Sequence, residues 1–285
     1  MFKILKKEEI APSTFFFEVE APFVARRIKA GQFIVLRIDE KGERIPLSYC
    51  GADPERGVIN LIVQSVGKTS QKLNDMKEGD AILDLVGPLG KETEIEKYGT
   101  CVLLGGGFGA GAIIPIAKAL RAAGNHVVSI VGAREKSLLV MEKDVEAASD
   151  EIKVTTNDGS YGMKGMVTDA LSQILADRKV DFILGIGPVP MMKAISDMTK
   201  PYGIKTMVSL NSVMVDGTGM CGSCRVTVGG ETKFACVDGP DFDGHQVDYD
   251  ELSKRLKMFE AYEKLAYEAY LEHRGRCASE KRSDR

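Results

Sequence analysis

Along the first hundred residues the apolar positions come in short patches broken by turn residues: TFFFEVEA (14–21), QFIVLRID (32–39), GVINLIVQSV (57–66) and DAILDLVG (80–87). Strands of this length and spacing, punctuated by glycine, predict a small antiparallel β-barrel over residues 1–97. From about residue 98 the rhythm changes. CVLLGG (101–106) is a buried-strand run, and AGAIIPIAKALRAAG (110–124) has helical periodicity ending at Gly124. The strand runs HVVSIVGA (126–133), EIKVTT (151–156), DFILGIG (181–187) and TMVSL (206–210) then alternate with helices expected over 136–148, 166–176 and 189–199. That alternation means βαβ units, so residues 98–209 predict a doubly wound, parallel-sheet α/β domain.

Residues 210–248 follow neither rhythm. They are rich in glycine and hold one short hairpin, CRVTVGGETKFAC (224–236). Residues 249–285 predict a long charged helix with Leu252, Leu256, Phe259, Tyr262 and Leu265 on one stripe, followed by a loose tail after Arg274. Packing on its own domain and contact with a partner subunit both explain such a stripe.

Composition narrows the function classes. A chain of 285 residues is long for a single core. Its formal charge of −3 provides no broad basic field, which argues against nucleic acid. It contains no run of 18 apolar residues to span a membrane. MFKILKKEEIAPSTFFF is too charged for a signal peptide, so the expected compartment is the cytoplasm. There, six cysteines imply metal or redox chemistry more than disulfides. G-x-S-x-G, H-E-x-x-H and Walker signatures do not occur, which sets hydrolase and kinase readings aside. His126, His245 and His273 are isolated, and Cys50 and Cys101 lie in strand-like runs that read as core.

CVLLGGGFGAGAIIP places Gly105, Gly106, Gly107, Gly109 and Gly111 where a strand turns into a helix. A phosphate needs bare backbone N–H groups at such a turn. The run contains G-x-G-x-x-A at Gly105, Gly107 and Ala110, in the strand-then-helix context a dinucleotide fingerprint demands. The second strand ends at GARE, with Arg134 beside Glu135, which leaves NAD and NADP both open.

Three stretches resemble the ferredoxin–NADP reductase superfamily, in which a flavin barrel precedes a pyridine-nucleotide domain: GGGFGAGAIIPIAKAL, TTNDGSYGMKGMVTDAL with Asp158, and LGIGPVPMM with Gly187, Pro188 and Met191. Ile186 stands where many relatives carry Cys. The resemblance extends into the barrel. RIPLSYCG matches the strand that holds the flavin, through Pro46, Leu47 and Ser48, with Arg44 one residue earlier than the usual Arg. SVGKTSQKL offers Gly67, Thr69 and Ser70 to the cofactor's pyrophosphate. LIVQ, with Leu61, Ile62 and Val63, supplies either an apolar wall for the isoalloxazine or simply core. The cofactors this implies are FAD and NAD(H).

The densest chemistry is DGTGMCGSC (216–224) followed by Cys236. Plant-type [2Fe–2S] ferredoxins space their ligands C-x4-C-x2-C…C. Here the chain reads D-x4-C-x2-C-x11-C, so Asp216, Cys221, Cys224 and Cys236 are the expected ligands of a [2Fe–2S] cluster. The same four groups also compose a zinc site, as in a non-catalytic binding module. An oxygen ligand is harder than sulfur and should alter the cluster potential.

Barrel, nucleotide domain and C-terminal cluster, in that order, resemble two groups. One is the electron-transfer subunit of dihydroorotate dehydrogenase B, which usually keeps four cysteines. The other is the small subunit of NADH-dependent ferredoxin:NADP oxidoreductase, which NSVMVDGTGMCGSCR resembles more. The second resemblance implies a larger flavin and [4Fe–4S] partner that handles NADP(H) and ferredoxin by electron bifurcation. A nicotinamide moves a hydride and a cluster moves single electrons, so a flavin is expected between them. A stand-alone reductase serving an oxygenase is a further expectation to weigh.

Overall fold

The computed structural model describes residues 1–283, with side chains through Arg274. Cys277 and the end of the expected loose tail therefore lie outside the described side chains. Seven strands form the N-terminal barrel: β1 (Phe2–Ala11), β2 (Thr14–Glu20), β3 (Phe33–Arg37), β4 (Arg44–Asp53), β5 (Val58–Gln64), β6 (Ala81–Ile82) and β7 (Asp84–Leu89). Their order is β6-β1-β2-β5-β4-β3-β7, antiparallel throughout. The two edges, β6 and β7, are joined through Leu83 alone, so the sheet nearly closes on itself. Ile4, Phe17, Ile34, Leu36, Ile59, Leu61 and Ile82 fill the interior. The hydrophobic pattern missed β1 because most of its side chains are at least partly exposed and only Ile4 is buried. Two short helices interrupt the barrel, α1 (Pro22–Ala25) and α2 (Lys68–Asp75).

The second unit alternates as expected: β8 (Thr100–Gly106), α3 (Gly109–Ala122), β9 (His126–Ala133), α4 (Glu142–Ala148), β10 (Glu151–Thr156), β11 (Met163–Lys164), α5 (Val167–Asp177), β12 (Phe182–Ile186), α6 (Val189–Thr199) and β13 (Lys205–Ser209). The strands β11-β10-β9-β8-β12-β13 are parallel, and the winding direction reverses between β8 and β12. A ligand crevice forms at such a reversal, beyond the carboxyl ends of the strands. The helix expected over 136–148 is shorter. A 3-10 turn covers Lys136–Leu138, Leu139 is extended, and Met141 takes a left-handed φ of 58° before α4 starts.

The C-terminal segment adds the hairpin β14 (Arg225–Val228) and β15 (Glu231–Phe234), then β16 (Asp241–Asp243). β16 pairs antiparallel with β13 and so extends the parallel sheet. The C-terminal segment's apolar residues Leu210, Met214, Val226 and Phe242 share one core with Phe33 and Val35 of the barrel and Val189 and Met192 of α6. The long helix is two helices, α7 (Tyr249–Leu256) and α8 (Glu260–Ser283). The break divides the expected stripe. Leu252 is buried and Leu256 packs against the shared core, whereas Phe259, Tyr262 and Leu265 are exposed. α8 instead touches the barrel through α2, where Tyr267 donates to Gln71 at 3.3 Å and Tyr270 to Asp75 at 3.0 Å.

Candidate functional site

Three features meet where barrel, parallel sheet and C-terminal segment come together: a cavity under the barrel, a cleft above the sheet, and the cysteine loop. The cavity is lined by Pro46, Leu47, Ser48 and Cys50 of β4, by Ile62 of β5, by Gly109 and Gly111 of α3, and by Gly187 after β12. Further wall comes from Ser209 at the end of β13, from Leu210 to Ser212 and Met214 just past it, and from Phe33, Phe108 and Pro240. A Cβ added to Gly111 would stand 2.5 Å from Ile62 Cδ1, so α3 is seated directly on the barrel. The walls are mainly apolar with a few hydroxyls, as a flat aromatic cofactor with one polar edge requires. Ser212 Oγ is buried beside this cavity without a hydrogen-bond partner. An orphaned polar atom of that kind fits a bound polar group.

The pleat of β5 separates the residues of LIVQ. Leu61 and Val63 lie in the barrel core, and Ile62 lines the cavity. The expected three-residue wall is therefore one residue, with the other two as core. Arg44 is exposed and does not line the cavity, and its charge acts on Asp216 of the cysteine loop. Gly67, Thr69 and Ser70 line neither the cavity nor the cleft. Thr69 Oγ1 donates to Glu43 Oε2 at 2.6 Å, and Ser70 Oγ accepts from the Val66 and Gly67 amides at 3.0 Å, the one half of a capping box open to a helix whose N-cap is glycine. Both hydroxyls expected on phosphate are thus engaged within the protein.

The cleft, about 590 Å³, opens at the carboxyl ends of the parallel strands. Gly106, Gly107, Arg134, Pro188 and Met191 line it, joined by Asn157 of the TTNDGS stretch, by Gln64, the last residue of LIVQ, which faces this cleft and not the cavity, and by Thr168, to which the sequence assigned no role. Gly107 has φ 58°, and a Cβ there would meet nothing within 4 Å, so the loop leaves its backbone open on that side. Gly105 and Gly109 act by close approach instead, against Ala110 and the Ile186 carbonyl. Asp158 turns away from the cleft. Its Oδ1 accepts from Ser160 N at 3.0 Å and Ser160 Oγ at 2.7 Å, and Asn157 lines the wall. Leu138 and Val140 also face the cleft, because the stretch expected as helix there is partly extended.

In the cysteine loop, Cys224 and Cys236 are buried in the shared core with their sulfurs 3.1 Å apart. Burial pushes the Cys236 thiol up to about 12, with Cys224 adding to it. Cys221 is exposed at the loop surface, and the Ser223 hydroxyl and amide hold its thiol below the ordinary range. Asp216 Oδ2 accepts from the Thr218 hydroxyl, from Thr218 N at 2.9 Å and from Met220 N at 3.4 Å, which hold its carboxyl below the usual range. Gly217, at φ 84°, packs its backbone on Val35 and Leu89 of the barrel. A single zinc ion needs its ligands converging on one point. Among the described residues no three such groups do so. Asp216 acts on the Cys221 thiol and Cys221 on that of Cys236, so the four groups share one neighbourhood.

Known proteins match this geometry. The family described as "Oxidoreductase FAD-binding domain" matches residues 1–93, and the "Iron-sulfur cluster binding domain of dihydroorotate dehydrogenase B" matches residues 211–248. The "Dihydroorotate dehydrogenase B (NAD(+)), electron transfer subunit homolog" of Thermotoga maritima is 50% identical, over 96% of this chain and 96% of its own. The chain belongs to the dihydroorotate dehydrogenase B electron-transfer subunit family. As a member, it is an FAD and iron–sulfur oxidoreductase subunit, and its fold fits an NAD(H) site. The iron–sulfur match replaces the zinc alternative. A solved structure described as showing flavin-based electron bifurcation "via the NADH-dependent reduced ferredoxin-NADP oxidoreductase" is 48% identical, with a TM-score of 0.91 over 95% of this chain and 98% of that one. Phthalate dioxygenase reductase, 21% identical with a TM-score of 0.59 over 80% of this chain and 85% of that one, shares the fold alone. Among the described residues no helix is long and apolar enough to cross a membrane.

Proposed function

We propose that the chain is the small subunit of an electron-bifurcating NADH-dependent ferredoxin:NADP oxidoreductase. It passes electrons between NAD(H) and a larger subunit through FAD and one [2Fe–2S] cluster. FAD, when bound, takes both electrons of a hydride and releases them one at a time to one-electron carriers. This chain's residues do the positioning. Pro46, Leu47, Ser48 and Ile62 would hold the ring, while Arg44 of β4 and the turn at Gly67, Thr69 and Ser70 stand outside this cavity and are given no part in holding the cofactor. Gly105, Gly106, Gly107, Gly109 and Gly111 shape the turn that cradles the nucleotide phosphates. Arg134, Asn157, Pro188 and Met191 border the nucleotide, with Gly187 on the cavity side and Asp158 engaged by Ser160 outside the cleft. Asp216 with Cys221, and Cys224 with Cys236, hold the two irons.

The observation that carries the reading is the carboxylate at the first ligand position of a cysteine loop seated beside the flavin cavity. It stands in a chain that follows the bifurcating oxidoreductase structure over nearly its whole length. Around exposed Cys221, the side chains of Val215, Met220 and Val237 are also exposed. An apolar set of this kind supports a larger subunit docking at the cluster, one with its own flavin and [4Fe–4S] centres handling NADP(H) and ferredoxin. Reduced thiols and a cluster support a cytoplasmic site.

The test is anaerobic purification from the source cells, with an absorption spectrum and metal analysis. FAD, about two irons per chain and a co-purifying [4Fe–4S] flavoprotein are expected. Colourless protein without iron overturns the reading. The names of the curated relatives favour a second one, the electron-transfer subunit of dihydroorotate dehydrogenase B. A barrel-fold FMN protein as the co-purifying partner would decide for it.

A further inference from the structure

Backbone amides aimed at the sulfurs of an iron–sulfur site stabilise their charge, so the carbonyls of the same loop must face elsewhere. Between Cys221 and Cys224, the carbonyls of Gly222 and Ser223 are each met by an arginine. Arg225 Nη1 donates to Gly222 O at 3.2 Å, and Arg255 Nη2 donates to Ser223 O at 3.0 Å. The first contact is local, from the exposed start of β14. The second crosses 32 residues of chain, from the last turn of α7, and is partly buried.

α7 is anchored for this reach. The Asp248 carboxylate caps its first turn, accepting from Glu251 N at 2.8 Å. Tyr249 and Leu252 sink into the same core as Cys224 and Cys236, and Leu256 packs against it. Arg255 follows Leu252 by three positions, so it neighbours that buried face of the helix. Among the described residues no carboxylate comes within ion-pair distance of Arg255, and its charge is left for the loop.

Peptide geometry carries the contact to the sulfurs. A trans peptide points its N–H opposite to its carbonyl. The peptide between Gly222 and Ser223 shows the result: Arg225 holds its carbonyl, and its amide donates to the Cys221 thiol. Arg255 grips the next peptide in the same way, which turns the Cys224 N–H to the side away from the guanidinium. A reduced cluster carries more negative charge than an oxidised one, and net charge and hydrogen bonds to sulfur set its potential. A cation that is partly shielded from water acts on that charge more strongly than an exposed one.

We propose that Arg255 is a positioning residue for the iron–sulfur centre: through the Ser223 carbonyl it fixes the loop between Cys221 and Cys224, and its charge favours the reduced cluster. The inference rests on a cluster held by the loop of residues 216–236.

The test uses the full chain with its FAD and cluster, in complex with its partner subunit, as wild type, R255K, R255Q and R255M. A redox titration followed by EPR reads the cluster potential, with the FAD potential as internal reference. Iron loss to a chelator reads how firmly the loop is held. In R255Q the cluster potential is expected to move to more negative values while that of FAD stays, and iron loss to quicken about tenfold. R255K, which keeps the charge, should hold the wild-type potential. R255M keeps the apolar stem without the charge and should follow R255Q, so it carries the test if R255Q does not fold. An unchanged cluster potential in the neutral variants overturns the proposal, even with faster iron loss, since Arg255 is then only a brace. A shift in R255K as large as in R255Q overturns it too, because the charge is then not what acts. Both outcomes are read on protein that holds iron. Wild type isolated with FAD and without iron would overturn the cluster assignment itself, and this inference with it.

Discussion

Gly111 of α3 lies against Ile62 of β5 so closely that a Cβ on the glycine would stand 2.5 Å from Ile62 Cδ1 and 3.2 Å from Cys50 Cβ. The contact seats α3 on the barrel at the edge of the cavity proposed for the flavin. Gly111→Val should overpack that seam and cost about 1–3 kcal/mol, read as a lower urea midpoint with an unchanged slope. FAD content should fall with it. Wild-type stability together with full flavin would show that the seam yields freely.

Asp216, proposed as the first cluster ligand, has Arg44 of β4 acting on its carboxyl. Asp216→Cys should retain a cluster whose EPR spectrum and potential are shifted, because a soft thiolate replaces a hard oxygen. Asp216→Ala should lose iron during gel filtration. An alanine variant with the wild-type spectrum and potential would place the fourth ligand elsewhere.

Asp241 of β16 is a partly buried residue whose Oδ2 accepts from Thr93 Oγ1 at 2.5 Å and whose Oδ1 is buried without a partner among the described residues. Desolvation raises its pKa above the ordinary 3.8. For a raised carboxyl, the stabilising share belongs to the protonated form. It is complete below the unfolded value and is lost as pH rises through the folded one. Asp241→Asn, neutral at every pH, should therefore gain stability over wild type as pH climbs from acid to alkaline. Urea melts at pH 5 and pH 8 check this, and a difference that does not change with pH would refute it.

Tyr270 of α8 donates to Asp75 at the end of α2, and Arg274 pairs with the same carboxylate at 2.8 Å. Tyr270→Phe should loosen α8 by about 0.5–1.5 kcal/mol, the net worth of one hydrogen bond. Amide exchange along α8 should quicken while the barrel stays protected. If exchange in α8 is unaffected, the helix is held by something other than this contact.

Much of the architecture was legible in the residues themselves. Short apolar patches marked most of the barrel, and βαβ alternation marked the parallel sheet, because burial on one or both faces of a strand leaves a periodic trace. β1 left almost none, since Ile4 is its one buried side chain. The turn at Met141 left none either, because its left-handed backbone is set by the tertiary surroundings and not by a glycine. The glycine loop and the D-x4-C-x2-C-x11-C spacing were readable because phosphate and iron each demand particular residue types at short range.

What the sequence by itself determined is the order of the units, the D-x4-C-x2-C-x11-C spacing inside the iron–sulfur segment, and the strand-to-helix glycine turn. All are local, fixed by periodicity or by spacing along a few residues. Only the tertiary structure decided that Ile62 and not Leu61 or Val63 faces the cavity, that Thr69 is engaged by Glu43, that Arg44 acts on the cysteine loop, and that Arg255 reaches the Ser223 carbonyl. Those relationships join residues far apart in the chain, across surfaces that exist only once barrel, sheet and loop have packed on a common core.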